Sequence, residues 1–128
     1  PNSLNPKYLK SKNIIHLGRV SKTKLRNIYT QSTAMICLGY DETFCLNAIE
    51  ANSCGLPVIS FGKTALIDLV KNNYNGFIVK DFKGLSKKIM YLLKSNNKIK
   101  LKFTNNCITY SKKFSLNSIF YAWLKLIK

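Results

Sequence analysis

Three of the five carboxylates of this chain fall in one short window, the stretch YDETFCLNAIE that ends at Glu50. They are Asp41, Glu42 and Glu50, in a chain with 21 Lys and Arg residues and a formal net charge of +16. Ionised carboxylates only accept hydrogen bonds, so they suit sugar hydroxyls and are poor ligands for phosphate. If the window were helical throughout, Glu42 and Glu50 would lie roughly 12 Å apart along the axis. This spacing excludes a touching carboxylate pair and suits one extended ligand.

The elements around this window alternate between short apolar runs and amphipathic segments. The near-continuous apolar runs predict strands covered on both faces, and they are Asn13–Leu17, Ala34–Leu38, Pro57–Phe61 and Gly76–Lys80. Helical periodicity is found at Lys22–Ser32, Cys45–Cys54 and Ala65–Asn72, and again from Lys83 to the end of the chain. The alternation is typical of right-handed crossovers and predicts an α/β fold, with a Rossmann-like parallel sheet flanked by helices.

The helix that begins near Cys45 follows a predicted strand, so it opens at the carboxyl end of the sheet, where open α/β sheets bind ligands. The free N–H groups and the dipole at a helix N-terminus favour a phosphate or diphosphate. Helix capping is an equally good explanation for Asp41, Glu42 and Thr43. Capping does not explain Glu50, which lies in mid-helix. A nucleotide sugar, with a diphosphate between two hydroxyl-bearing groups, has the matching layout.

Composition limits the class of protein. The 128 residues are 46% hydrophobic, which suits one globular domain. No apolar run approaches the length of a membrane span and no signal peptide is recognisable, so we expect a cytoplasmic, non-integral protein. The four cysteines form no C-x-x-C pair and the one histidine, His16, is isolated. We therefore expect no bound metal, and cysteines that are reduced and buried.

The positive charge attracts polyanions, but it is made almost entirely of lysine. Arg19 and Arg26 are the two arginines, too few for reading bases or for an array that clamps phosphates. We favour a solvated lysine surface and expect no nucleic acid. The alternative is a basic Rossmann-like module that binds nucleic acid or an anionic membrane without catalysis.

The last predicted helix, Leu116–Ile127, carries an apolar stripe. Its members are Ile119, Phe120, Trp123, Leu124 and Ile127. Such a stripe packs on protein or lies on a membrane surface, and we favour packing on protein because buried stripes are commoner.

The segment ETFCLNAIEANSCGLPVI, Glu42 to Ile59, resembles the E-x7-E region of family-four (group 1) retaining glycosyltransferases with the GT-B fold. That family usually reads E-x-F-G-L-x-x-x-E-A-x-x-x-G-x-P-V-I. The resemblance extends to IIHLGRV at Ile14–Val20, to NGFIV at Asn75–Val79 and to Phe114-Ser115. It implies that residues 1–128 are a single domain, the nucleotide-sugar-binding C-terminal part of such an enzyme, with the N-terminal acceptor domain outside this sequence. Pro1 in place of an initiating Met is consistent with a piece of a longer protein.

The resemblance also implies roles. Glu42 would contact the transferred sugar as the catalytic residue, and Glu50 would bind the ribose hydroxyls of the donor. The other donor-binding residues are Thr43, Phe44, Cys45 and Leu46 beside the diphosphate and sugar, and Gly18, Arg19 and Val20 near the nucleobase. The implied reaction is retaining transfer of a hexose from a UDP- or GDP-linked sugar to a glycan or lipid-linked acceptor, without a cofactor or metal. We expect this half alone to be nearly inactive, because catalysis needs a cleft closed by both domains. The implied location is cytoplasmic, with peripheral contact at an anionic membrane as an open alternative.

Two departures from the family pattern stand out. Cys45 occupies the position of the usual glycine after Phe, and its side chain narrows the approach of the backbone to the donor. The arginine and lysine that bind donor phosphates in the family have no match here. Since those residues lie on earlier elements in the family, we interpret the chain as a fragment.

Overall fold

A computed structural model describes residues 13–39, 43–63 and 65–127. The elements in chain order are α1 (Lys22–Gln31), β1 (Met35–Cys37), α2 (Leu46–Ser53), β2 (Val58–Ser60), α3 (Leu66–Leu69), β3 (Gly76–Ile78), α4 (Phe82–Lys94), α5 (Asn97–Ser111), a 3₁₀ turn (Lys112–Phe114) and α6 (Leu116–Leu126). The three strands of the described chain form one parallel sheet in the order β1-β2-β3. The prediction of an α/β fold with a Rossmann-like parallel sheet is therefore confirmed.

One predicted strand is wrong. Residues 13–17 lie in the described part of the chain but in no strand, and Ile14, Ile15 and Leu17 are 48%, 80% and 45% exposed. A strand covered on both faces needs a paired neighbour and a layer of side chains on each side. Within the described residues this segment has neither, so its apolar composition alone does not make it a strand.

The predicted helices form, with local side chains that define their ends. Ser21, Asp81, Asn96 and Ser115 each accept a hydrogen bond from a backbone N–H in the first turn of α1, α4, α5 and α6. Such caps satisfy N–H groups that have no partner within the helix. The exception in length is α3, predicted as Ala65–Asn72, which stops at Leu69 because Val70 is extended.

The core lies on both faces of β2. Val58 packs with Ala48, Ala51 and Leu66 on the α2 side, whereas Ile59 packs with Phe77, Leu85 and Phe103 on the α4 side. Both β2 residues are fully buried, since successive strand residues face opposite sides of a sheet that is covered twice. This sandwich holds α2 against one face of the sheet.

Two buried asparagines join the end of α2 to the turn before β3. The amide of Asn75 donates to Oδ1 of Asn52 at 2.6 Å and to the carbonyl of Leu69 at 2.9 Å. The amide of Asn52 donates to the carbonyl of Leu56 at 2.9 Å. Because a buried amide without partners is costly, the network specifies how α2 sits on the sheet.

No helix in the described ranges is both long enough and apolar enough to cross a membrane. The terminal helix α6 nevertheless leaves its apolar stripe exposed, with Phe120 60% and Trp123 62% accessible. The expected packing of this stripe on protein is therefore not found within the described chain.

Candidate functional site

The N-terminus of α2 opens at the carboxyl end of the sheet, as predicted. The connection from β1 ends at Cys45, which is the N-cap residue and makes no side-chain capping hydrogen bond. The N–H of Leu46 donates to the carbonyl of Phe44 at 3.2 Å, and the N–H of Ala48 donates to the carbonyl of Cys45 at 3.1 Å. Leu46, the first helical residue, is 62% exposed, so this helix end faces solvent.

Phe44 and Cys45 face opposite ways at this helix end. Phe44 is 49% exposed, and its ring meets the ring of Phe114 edge-on with the centroids 6.3 Å apart. Cys45 is 4% exposed, and its sulfur lies 3.4 Å from the sulfur of Cys37 at the end of β1. The cysteine that replaces the family's glycine therefore points into the protein, toward the sheet.

Glu50 lies one turn further along α2, about 6 Å from Leu46 by helix rise. It is exposed and lines a cavity of about 390 Å³ between α1 and α2. The other lining residues are Lys22, Leu25, Arg26, Tyr29, Ser53 and Cys54. One carboxylate acceptor and two cationic side chains thus border a single cavity along the second half of α2.

Tyr29 connects the cavity to the cysteines. Partial burial raises the pKa of its phenol above the usual value, and the charge of Glu50 raises it further, as do Cys54, Cys45 and Cys37. The phenol therefore stays protonated at neutral pH and can donate a hydrogen bond next to the Glu50 carboxylate. A ligand hydroxyl in the cavity would meet both an acceptor and a donor.

The remaining predicted site residues are not brought into this cavity. Glu42 and Asp41 lie outside the described residues. Gly18, Arg19 and Val20 are described, in the segment just before α1, but they do not line the cavity. Gly18 has φ +59°, a left-handed backbone that favours glycine, and open space surrounds it.

Sequence reasoning missed three residues of the cavity. Lys22, Arg26 and Tyr29 line it from α1, and the sequence analysis assigned none of them to the site. Their spacing of four and three residues puts them on one helix face, which was a usable signal. The sequence did not show that this face of α1 lies around the same cavity as Glu50.

A second cavity of about 350 Å³ lies at the amino ends of the strands. Thr33 before β1 and Pro57 before β2 line it together with Phe103 and Lys100 of α5. It shares Tyr29 and Cys54 with the cavity that Glu50 lines, so the two cavities adjoin at the C-terminal end of α2.

Comparison with known proteins identifies the family of this chain. Residues 3–114 match the family described as glycosyl transferases, group 1. A curated relative is the N,N'-diacetylbacillosaminyl-diphospho-undecaprenol alpha-1,3-N-acetylgalactosaminyltransferase of Campylobacter jejuni subsp. jejuni serotype O:2, 24% identical over 128 residues. The alignment covers 98% of this chain and 33% of that relative, so the chain spans about a third of the relative's length.

Proposed function

Because the chain belongs to the group 1 glycosyltransferases, we propose that it is the donor-binding half of an enzyme that transfers a hexose from a nucleotide-diphosphate sugar. The donor would carry UDP or GDP, and transfer would proceed with retention and without a metal. The observation that carries the proposal is the cavity that Glu50 lines together with Lys22 and Arg26, along the second half of the helix whose N-terminus opens at the carboxyl end of the sheet.

The chemistry of the cavity fits the two ends of a nucleoside diphosphate. An exposed carboxylate accepts two hydrogen bonds from vicinal hydroxyls, which is the requirement of a ribose. Lys22 and Arg26 favour an anionic ligand, and the helix dipole favours a diphosphate at the start of α2. The start of α2 at Leu46 would bind the diphosphate and Glu50 would bind the ribose. The helix rise separates the two residues by about 6 Å.

The roles of the individual residues follow the family pattern. Glu50 would bind the ribose, and Glu42 would contact the transferred sugar. Backbone N–H groups of the segment 43–46 would bind the diphosphate, for which the Leu46 N–H must exchange its bond to the Phe44 carbonyl for one to the ligand. Gly18, Arg19 and Val20 would approach the base.

The acceptor and the location belong to the protein as a whole. The relative is named for transfer of N-acetylgalactosamine to a sugar carried on diphospho-undecaprenol. By analogy we propose a glycan or lipid-linked acceptor, bound by a second domain outside this sequence, and a cytoplasmic protein with peripheral contact at an anionic membrane. The 128-residue chain alone would bind donor without turnover, because the cleft needs both domains.

Calorimetric titration of the full-length protein with UDP, GDP and ADP tests the proposal. Replacing Glu50 by Gln removes the acceptor charge and is expected to weaken binding of the preferred nucleotide about tenfold or more, since hydrogen bonds to charged groups contribute about 1.5–3 kcal/mol. Asp68→Asn removes the same charge from an exposed position that does not line the cavity, and is expected to change the affinity less than twofold.

A different outcome would favour the alternative function. If none of the three nucleotides bound, while DNA or anionic vesicles bound with a steep dependence on salt, the chain would be a basic binding module and the transferase proposal would fail.

A further inference from the structure

Two thiols face each other where β1 ends and α2 begins. Cys37 is the last residue of β1 and is half-buried, whereas Cys45 caps α2 and is 4% exposed. Their sulfurs are 3.4 Å apart, although eight positions separate them in sequence. The approach therefore brings the end of the strand to the start of the helix.

The other two cysteines lack this arrangement. Cys107 is completely buried in α5, where its thiol donates to the carbonyl of Asn75 at 3.5 Å. Burial raises the pKa of the Cys107 thiol to about 12, so it is a poor nucleophile at neutral pH. Cys54 lies at the far end of α2, with its sulfur 4.0 Å from the hydroxyl of Ser53.

We propose that Cys37 and Cys45 form a reversible disulfide when the protein meets a hydroperoxide. A disulfide bond is about 2.05 Å long, so the two sulfurs need to approach by roughly 1.4 Å. Cys45 has the freedom for this movement, because it precedes the helix, has non-helical dihedral angles and uses no side-chain capping bond.

The chemistry balances with the peroxide as the only oxidant. The thiolate of Cys37, the more accessible of the two, attacks the terminal peroxide oxygen, the O–O bond breaks, and an alcohol or water leaves. The resulting sulfenic acid is attacked by the Cys45 thiolate, which forms the S–S bond and releases hydroxide that is protonated to water. Two thiols have then lost two electrons and two protons, and a thiol reductant reverses the change.

Because of its location, the disulfide is expected to affect donor binding, and this expectation rests on the proposed function. The bond would tie the N-terminus of α2 to β1 across the connection that contains Glu42, Thr43 and Phe44. Since a misplacement of about 1 Å at a positioned site can cost a factor of about a hundred, we expect oxidation to weaken donor binding at least tenfold.

Peptide mapping of the full-length protein tests the disulfide itself. Trypsin leaves Cys37, Cys45 and Cys54 in one peptide, residues 27–63, but further cleavage after Glu42 and Glu50 separates them. After treatment with hydrogen peroxide we expect residues 27–42 and 43–50 to be joined, two hydrogens lighter than the separate peptides, and to separate again with dithiothreitol.

Two variants make the result specific. Cys54→Ser is expected to form the bridge as the unmodified protein does, and Cys37→Ser is expected to lose it. If Cys37→Ser does not fold, Cys45→Gly serves instead, since glycine is the usual residue of the resembling family at this position. The inference is overturned if Cys37 and Cys45 remain thiols while Cys54 or Cys107 is oxidised, or if the bridge joins two protein molecules.

The effect on donor binding is measured separately. Reduced and oxidised protein are titrated with the nucleotide that the reduced form binds, with Cys37→Ser as the variant that peroxide should not affect. A bridge that forms without changing the affinity would overturn the regulatory consequence. Absence of nucleotide binding in both states would instead count against the proposed function and leave the mapped disulfide standing.

Discussion

The side chain of Asn75 is completely buried and satisfies three polar groups around it. Its amide donates to Asn52 and to the Leu69 carbonyl, and its Oδ1 accepts from the N–H of Lys71 at 2.6 Å. The backbone carbonyl of Asn75 separately accepts the thiol proton of Cys107. A single side chain therefore holds α2, the end of α3 and the turn before β3 in one arrangement, and through α2 it positions Glu50.

Replacing Asn75 by Ala removes the three hydrogen bonds of the side chain, to Asn52, Leu69 and Lys71. We expect the free energy of unfolding to fall by about 3 kcal/mol, measured by denaturant titration. Asn105→Ala, the same substitution at an exposed position of α5, is expected to stay within about 0.5 kcal/mol. A loss below about 1 kcal/mol for Asn75→Ala would show that water replaces the network.

The raised pKa of Cys107 predicts a dependence of stability on alkaline pH. In the unfolded chain this thiol ionises near pH 9, whereas in the folded chain its pKa is about 12. Between these values the unfolded state binds fewer protons, so the contribution of Cys107 to the free energy of unfolding falls as pH rises, by at most about 1.4 kcal/mol per unit. The difference in stability between the unmodified chain and Cys107→Ala should shrink between pH 9 and pH 11. A constant difference would contradict the assignment.

Among the elements, the pairing of β2 with β3 depends most strictly on one residue type. Gly76 begins β3 beside Val58, and a methyl group at its Cα would clash with the Val58 carbonyl oxygen. Because that oxygen belongs to the backbone of the central strand, neither side can move without breaking the ladder. The Asn75-Gly76 pair is thus required by the strand contact as well as by the turn.

Gly76→Ala is accordingly expected to be severely destabilising. We expect a loss of about 3 kcal/mol or more, or failure to fold, measured by thermal and denaturant unfolding. The matched control is Gly18→Ala, which adds the same methyl group in open space and is strained only through its positive φ, at a cost of about 1 kcal/mol. Equal effects of the two substitutions would show that the contact with Val58 is not the cause.

At the scale of the molecule, the apolar stripe of the last helix, α6, is not covered by any other part of the described chain. α6 is joined to the 3₁₀ turn through Ser118, whose hydroxyl donates to the carbonyl of Lys112 at 2.8 Å, but Phe120, Trp123 and Leu126 are 60%, 62% and 80% exposed. The uncovered stripe is consistent with a chain that spans a third of its relative's length.

The single tryptophan reports directly on this helix. In the 128-residue chain we expect Trp123 to emit at the long wavelengths of a solvent-exposed indole and to be quenched by acrylamide almost as strongly as in the chain unfolded with guanidinium. A blue-shifted, protected indole would show that the stripe is covered. Dilution would then distinguish self-association, which reverses, from packing within one chain, which does not.

The sequence alone determined the features that depend on neighbouring residues. The alternation of apolar runs and amphipathic segments predicted the parallel α/β sheet, and the family pattern around Glu50 predicted the family that residues 3–114 match. The assignment of Glu42 as the sugar contact stays a prediction. These inferences succeed because periodicity, caps and turn residues act within a few positions of the chain.

Only the tertiary structure decided which distant residues meet. It left the apolar segment 13–17 uncovered, placed Lys22, Arg26 and Tyr29 opposite Glu50, and brought Cys37 to 3.4 Å from Cys45. It also joined Asn52 to Asn75 across 23 positions. Such contacts depend on how whole elements pack, and burial is a property of what covers a residue, which the residue's own type does not specify.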